Sequence, residues 1–468
     1  MTISAWLSLL IMTIAVTAVF RGVDVRLALL TGAFCLAVIT GDTALVIRTF
    51  LSTFSNEQFV VPICSAMGFA YVMKQTGCDQ HLVRLLLHPL RYVRALLIPG
   101  VILVGFLINI PVISQTSTAV CLGTVVVPLL RAAGYTPITI GATLLLGTSI
   151  GGELLNPGAP ELLTISSRSG IPTPEMWPVI FRVVWPQLLF AGLMFWLYDT
   201  WISQRISRNA SAISPSATIS ASLPVEEPIQ LWKALVPLVP LALLFFTGPP
   251  LNLFPIAQRW VVERPPATAT AAVCGTAAAD ALEMSRDPRS SSRMIGLVML
   301  IGVVIAAAST PSRAGGTMQA FFEGAGRGFT QIVSLIVTAN CFGTAIQHSG
   351  LATPLESWIS GNPSWLEPLA AVIPAGFAMI CGSGMASTQS LYGFFHGSAL
   401  AIGTDPIAVG AMVALGSAAG RTISPVAAVV LMCAAVTETH PFDLIKRVGP
   451  PVMIALAGVV GLRFAGLV

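Results

Sequence analysis

Apolar residues gather along this chain in blocks separated by short polar breaks, at 3–20, 27–47, 59–73, 96–110, 119–130, 137–150, 179–198, 234–254, 294–308, 329–346, 366–380, 391–402, 407–419, 426–436 and 448–467. A helix needs about twenty apolar residues to cross the hydrocarbon of a bilayer. The longer blocks therefore predict spanning helices. The shorter ones, ending near Asn109, Leu130, Ile380 and Ile402, predict half-helices or re-entrant hairpins, whose freed backbone must line a cavity or lie buried in protein. Two polar stretches interrupt the pattern, 203–228, rich in Ser, Ala and Pro, and 258–293, with clustered Arg and acids. The first reads as a flexible linker, and the apolar block between them reads as a connecting helix.

Composition agrees with this pattern: 55% of the 468 residues are hydrophobic and 9% charged, with a mean hydropathy of +0.83. Soluble domains carry about 25% charged residues, so lipid is the solvent for most of this surface, and the chain is expected to be an all-α integral membrane protein. The first block lacks a basic start and a small-residue cleavage site, which fits a retained helix better than a removable signal. A net charge of +4, with its basic residues in short loops, leaves no electrostatic footprint for nucleic acid. The lipid bilayer is a sufficient partner for those loops. No G-x-x-x-x-G-K-[ST] loop occurs, so the chain does not read as hydrolysing ATP itself. The eight cysteines stand singly and the five histidines form no metal-ligand spacing, so neither a metal site nor a cofactor is expected.

The segment 134–151 recurs 269 residues later as 403–420, with eight of eighteen positions identical. About two matches would arise by chance at ordinary residue frequencies. Ser114 and Ser383 keep the same offset, and after a four-residue gap Ile-Phe-Arg-Val-Val-Trp-Pro at 180–186 answers Ile-Lys-Arg-Val-Gly-Pro-Pro at 445–451. The chain thus divides into a first half, 1–200, containing repeat one (about 114–186), a connecting region, 201–293, and a second half, 294–468, containing repeat two (about 383–451). Duplicated halves broken by Gly and Pro in apolar sequence are a signature of secondary transporters, where the two copies have inverted topology and discontinuous helices.

Polar residues concentrate where the repeats break their own helices. In the first they are Ser114, Gln115, Thr116, Ser117 and Thr118, then Gly147, Thr148, Glu153 and Asn156. In the second they are Ser383, Gly384, Ser387 and Thr388, then Gly416, Ser417, Arg421, Thr422 and Ser424. Unpaired N–H groups at the start of a half-helix carry a positive dipole end and bind carboxylate oxygens, while hydroxyls add donors without a desolvated charge. Ser114–Thr118, Asn156, Ser383, Gly384, Ser387, Thr388, Arg421, Thr422 and Ser424 are the candidate substrate ligands. Gly147, Thr148, Glu153, Gly416 and Ser417 are candidates for a coupling ion. The alternative for the small residues is close helix packing. Arg421 and Glu153 are intramembrane charges, which are expensive and generally functional. Arg421 could grip a substrate carboxylate in bidentate fashion or form a structural bridge to Glu438 or Asp443. Glu153 could hold a proton or cation, or pair with Arg168 or Arg182. Glu161, nearer a loop, reads as structural.

The chain resembles the DcuC family of anaerobic four-carbon dicarboxylate carriers, within the ion transporter superfamily, over nearly its whole length. The resemblance is carried by Gly-Phe-Ala-Tyr-Val-Met-Lys-Gln-Thr-Gly at 68–77, His88-Pro89 with Arg91-Tyr92, Asn156-Pro157, Gly382-Ser383-Gly384, Gly-Arg-Thr-Ile-Ser-Pro-Val at 420–426, and Pro441-Phe442-Asp443 with Lys446-Arg447. It implies inverted repeats with re-entrant hairpins, a substrate site between hairpin tips and broken helices, elevator-like alternating access, a homodimer, and a place in the bacterial inner membrane. The implied cargo is succinate, fumarate or a related dicarboxylate, moved with H+ or Na+ or by exchange. Met385 after Gly-Ser-Gly, and Glu153 close to an anion site, depart from the family pattern and leave room for an amino acid or another carboxylate. An intramembrane protease and a passive channel are remote alternatives, since no catalytic Ser/His pair stands out.

Overall fold

The computed structural model describes residues 3–21, 23–88, 96–210, 230–247, 288–349, 359 and 361–467, and every regular element among them is a helix. Six described helical stretches are long and apolar enough to cross a membrane: Pro137–Ser169, Thr173–Ile202, Ser292–Ser309, Pro311–Ile346, Pro363–Cys381 and Pro441–Phe464. The chain is a multi-pass membrane protein. It opens with α1 (Ile3–Phe20), α2 (Val25–Thr40), α3 (Thr43–Phe54), α4 (Glu57–Thr76) and α5 (Cys78–Leu87). Next come α6 (Leu97–Asn109), α7 (Gln115–Ala132), α8 (Pro137–Ser149), α9 (Pro160–Ser169) and α10 (Thr173–Ala210). A middle group follows: α11 (Leu231–Leu235), α12 (Val239–Thr247), α13 (Pro288–Ser309), α14 (Thr317–Gly328) and α15 (Ser334–His348). The chain closes with α16 (Leu366–Cys381), α17 (Gly384–Ile402), α18 (Pro406–Thr422), α19 (Ala428–Thr437) and α20 (Pro441–Phe464). The stretch 203–210, expected as linker, forms the last turns of α10, while 211–228 and 258–287 lie outside the described residues.

The last five helices retrace α6–α10. In each copy a hairpin (α6/α7, α16/α17) is followed by a helix that breaks and resumes (α8/α9, α18/α19) and then by a long helix (α10, α20). Local sequence sets these boundaries. Proline stands first in α8, α9, α18 and α20, where its missing N–H costs nothing. The Thr136 hydroxyl and the Asp405 carboxylate accept N–H groups of the first turns of α8 and α18. The packing repeats too. A Cβ on Gly147 would meet Ile102 Cα at 3.1 Å, and a Cβ on Gly416 would land on the Ala371 carbonyl oxygen. Both pairs obey the 269-residue offset, so glycine at these positions lets each broken helix touch the backbone of its own hairpin.

The two copies share one hydrophobic core, to which Leu144, Leu146 and Phe195 contribute from one side and Val413, Leu415 and Val459 from the other. A second core joins α4, α13, α14 and α15 through Phe69, Val72, Val298, Phe321 and Ile336, and a third joins α2, α3 and α15 through Leu36, Val46 and Ala339. The most apolar window of Pro137–Ser169 is 94% buried, against 39% for those of Thr173–Ile202 and Pro441–Phe464. The broken helix is thus jacketed by protein. The long helices instead present stripes such as Leu189, Leu193 and Leu197 outward, at the spacing that suits a lipid-facing side.

Candidate substrate and ion site

Ser114 ends the turn between α6 and α7, and its Oγ accepts the Ser117 N–H at 3.3 Å. Ser383 does the same for α17, accepting the Ala386 N–H at 3.2 Å. The preceding Gly382 closes α16 with φ 71° and lies so close to Val426 that a Cβ would meet its carbonyl carbon at 3.0 Å. Glycine satisfies both demands at once. The first turns of α7 and α17 then line a single cavity of about 570 Å³, bringing Ser114, Gln115 and Thr116 together with Ser383, Gly384 and Met385. Two helix N-termini, with their free N–H groups and positive dipole ends, therefore bear on one space. The opposite wall comes from outside the repeats: Asp24, Arg26, Met67, Gln331 and Ile332. Gln331 and Ile332 sit in the π-helical turn Phe329–Val333 that joins α14 to α15, a local irregularity that often marks working sites.

Arg421, at the end of α18, is the guanidinium that the repeats bring to this cavity. It forms an ion pair with Glu153, donates from Nη2 to the Ser149 carbonyl at 3.2 Å, and holds Nη1 3.8 Å from Glu161 Oε1. Glu153 Oε2 accepts a second hydrogen bond, 2.6 Å long, from Asn109 Nδ2. These pairings replace the bridges to Glu438 or Asp443, and to Arg168 or Arg182, that the sequence left open. Their cause is the break after α8. Gly151, at φ 113°, ends the helix, and the 3₁₀ turn Gly152–Leu155 swings Glu153 toward the tip of α18. A lone buried charge costs several kcal/mol, and a partner plus further hydrogen bonds offsets it.

The structure divides the residues singled out from the sequence. Ser114, Gln115, Thr116, Ser383, Gly384 and Arg421 line the cavity; the others do not. Ser117 and Thr118 belong to the capping turn, where the Thr118 hydroxyl donates to the Ser114 carbonyl at 3.0 Å. Asn156 clamps the unwound segment, donating to the Ile110 carbonyl and accepting the Gly158 N–H, both at 2.8 Å. Ser387 donates to the Pro374 carbonyl and receives Ser417, which ties α17 between α16 and α18. Thr422 donates to the Ser149 carbonyl at 2.9 Å, Ser424 accepts the Val426 N–H, and Thr388 is fully buried. Among the coupling-ion candidates, Thr148 bonds back to the Leu144 carbonyl, Gly147 and Gly416 pack against hairpins, and Glu153 is held by Arg421 and Asn109. Glu161, which the sequence reads as structural, is among the lining residues. Its signal was a carboxylate directly after Pro160, at the restart of the broken helix. Asn109, in the sequence only the end of a short apolar block, is fully buried and holds Glu153.

This geometry of paired hairpin tips and crossed broken helices can be set beside known proteins. The profile of the DcuC family, described as C4-dicarboxylate anaerobic carrier, matches residues 57–198 and 290–465. The chain belongs to the DcuC family. This DcuC-family chain is 23% identical over 408 residues to the anaerobic C4-dicarboxylate transporter DcuC of Escherichia coli K12, covering 84% of the chain and 77% of that protein. Over a shorter stretch of 118 residues it is 36% identical to an uncharacterized transporter of Haemophilus influenzae, which spans 25% of the chain and 81% of that protein. Among solved structures, the Alcanivorax borkumensis YdaH transporter superimposes with a TM-score of 0.57 at 17% identity, over 99% of this chain and 98% of that one. Neisseria gonorrhoeae MtrF, from a class of antimetabolite efflux pumps, gives 0.59 at 16% identity, over 89% and 83%. The two structures share the fold. All of these proteins are transporters or efflux pumps, and the DcuC-family chain is a transporter of C4-dicarboxylate type rather than an enzyme.

Proposed function

We propose that this chain is a secondary active carrier of small organic anions, above all four-carbon dicarboxylates such as succinate and fumarate. The observation that carries the reading is the meeting of two hairpin N-termini with Arg421 in one cavity. A dicarboxylate has two anionic ends, and two dipole ends with a guanidinium between repeats supply donors for both. The helices sort into a duplicated group around one core and a second group around two others, with the cavity between them. That division supports elevator-like alternating access, in which the inverted repeats carry the site past the remaining helices. Coupling to H+ or Na+, exchange, homodimeric assembly and residence in the bacterial inner membrane belong to the same reading.

Purified protein screened by thermal shift tests it. Succinate or fumarate at a hundred times its Kd should add about 2.7 kcal/mol of apparent stability, and proteoliposomes should take up the same compound saturably. No stabilisation and no flux for any carboxylate would end the proposal. The open oxygen of Glu161 beside Arg421 favours one second reading, a carboxylate that also bears an amine. Stabilisation by amino acids with none by dicarboxylates would establish that alternative.

A further inference from the structure

The charges around the cavity do not balance for a dianion. On the far wall the charge of Arg26 is offset by that of Asp24, and Arg421 brings one positive charge that is already paired with Glu153. Glu161 adds a second carboxylate from the same side, 2% exposed, with Oε1 3.8 Å from the guanidinium and Oε2 without a hydrogen-bond partner. The Nε of Arg421 is equally buried and equally unpartnered. A buried oxygen and a buried N–H left open on two residues lining one cavity are incomplete alone, and they are not complementary to a carboxylate while Glu161 is ionised. Adding one proton to Glu161 changes that. The acid becomes a donor, and the pair Glu161 O–H and Arg421 Nε–H presents two donors to one incoming carboxylate.

We infer that Glu161 is the proton-carrying group of this transporter, protonated when the dicarboxylate is bound and ionised when the site is empty. The inference rests on the dicarboxylate reading. The proton enters from the solution on the side where the substrate binds, resides on Glu161 Oε2 during the crossing, and returns to solution on the far side when the carboxylate departs. The charged groups bearing on Glu161 are Arg421 from α18 and Glu153 from the 3₁₀ turn. The helices packed on α9 also carry Glu57 and Lys74 on α4, Glu175, Arg182 and Asp199 on α10 and His396 on α17, with Arg168 on α9 itself, and Asp24 and Arg26 line the same cavity. Glu153 is poorly suited to the task, since both its oxygens already accept from Arg421 and Asn109.

Succinate binding to the purified transporter, measured by calorimetry in buffers of different ionisation enthalpy and across a pH series, tests the inference. The wild type should take up about one proton per succinate. Its affinity should be greatest at low pH and fall by up to about tenfold per pH unit where the empty site has lost the proton and the loaded site retains it. In Glu161→Gln the proton uptake and this slope should vanish. Binding with no proton uptake, or with unchanged uptake in Glu161→Gln, overturns the inference and leaves the carrier reading intact; a sodium requirement in its place would assign the seat to a cation. Binding of no carboxylate at any pH overturns both. Infrared difference spectra of the wild type keep the test independent of how the variant folds: succinate should raise the carbonyl band of a protonated carboxyl, and its absence also overturns the inference.

Discussion

Repeat one and repeat two have the same succession of helices but opposite chemistry at their breaks. The first supplies acids, Glu161 at the cavity, Glu153 behind it and Asp199 on α10; the second answers with Arg421 and Arg447. Arg447 holds Asp199 from both Nε and Nη2 at 2.8 Å, with Thr139 donating to the same carboxylate at 2.9 Å. Its counterpart in the first repeat, Arg182, is exposed. The break differs as well. Repeat one stops α8 at Ser149 and turns at Gly151 in a left-handed conformation, whereas α18 runs through the equivalent Gly420 to Thr422. The backbone frame is thus shared, while the charges are sorted so that the pairs made by Arg421 and Arg447 cross from one copy to the other; Arg463 and Glu367 pair within the second.

The sharpest way to break that complementarity is Arg421→Ala. It leaves Glu153 buried without its cation, and removing one partner of such a pair costs about 3–5 kcal/mol. The expected outcome is a large fall in unfolding temperature in detergent and loss of stabilisation by dicarboxylates. A Glu153→Ala, Arg421→Ala double variant should recover part of the stability and none of the ligand response, and equal loss in single and double variants would show that the pair is not coupled.

A smaller effect compares the two helix contacts. Gly416→Ala forces a methyl group onto the Ala371 carbonyl, while Gly147→Ala meets Ile102 Cα at 3.1 Å and can be relieved by a slight shift. Overpacking of this kind costs about 1–3 kcal/mol, so Gly416→Ala should lower the unfolding temperature more than Gly147→Ala; the reverse order would mean that the second broken helix moves away more easily than the first.

The least effect is expected at the tips, where losing a helix cap costs about 0.5–2 kcal/mol. Ser114 Oγ also engages Thr116 and Ser117 hydroxyls, at 3.2 and 3.0 Å, whereas the Ser383 hydroxyl serves the Ala386 N–H. Ser114→Ala should therefore weaken dicarboxylate binding more than Ser383→Ala, by a few-fold, as titrations of the two variants would reveal.

Hydropathy made the membrane class legible, and the 269-residue repeat marked the frame in which Ser114 meets Ser383. Helix boundaries were written locally, in Pro137, Pro406 and the serine caps. The charge pairing was not, because Arg421 reaches Glu153 from 268 residues away and only the packed core brings the ends of α8 and α18 together. Gly147 and Gly416 illustrate a different limit: a small residue that frees the backbone for a ligand and one that admits a neighbouring helix leave the same mark in a sequence. The place of Glu161 at the cavity was hidden for a third reason, since it depends on the turn that Gly151 and Asn156 impose.

The segregation of acids into one copy and guanidinium groups into the other has an evolutionary consequence. A free half-length chain with the side chains of repeat one would bury Glu153, Glu161 and Asp199 with no buried arginine to meet them. Two such chains could not assemble into a stable pair, and two copies of the second half would fail for the opposite reason. Whatever symmetric ancestor the frame descends from, each half now needs the other to neutralise its buried charges.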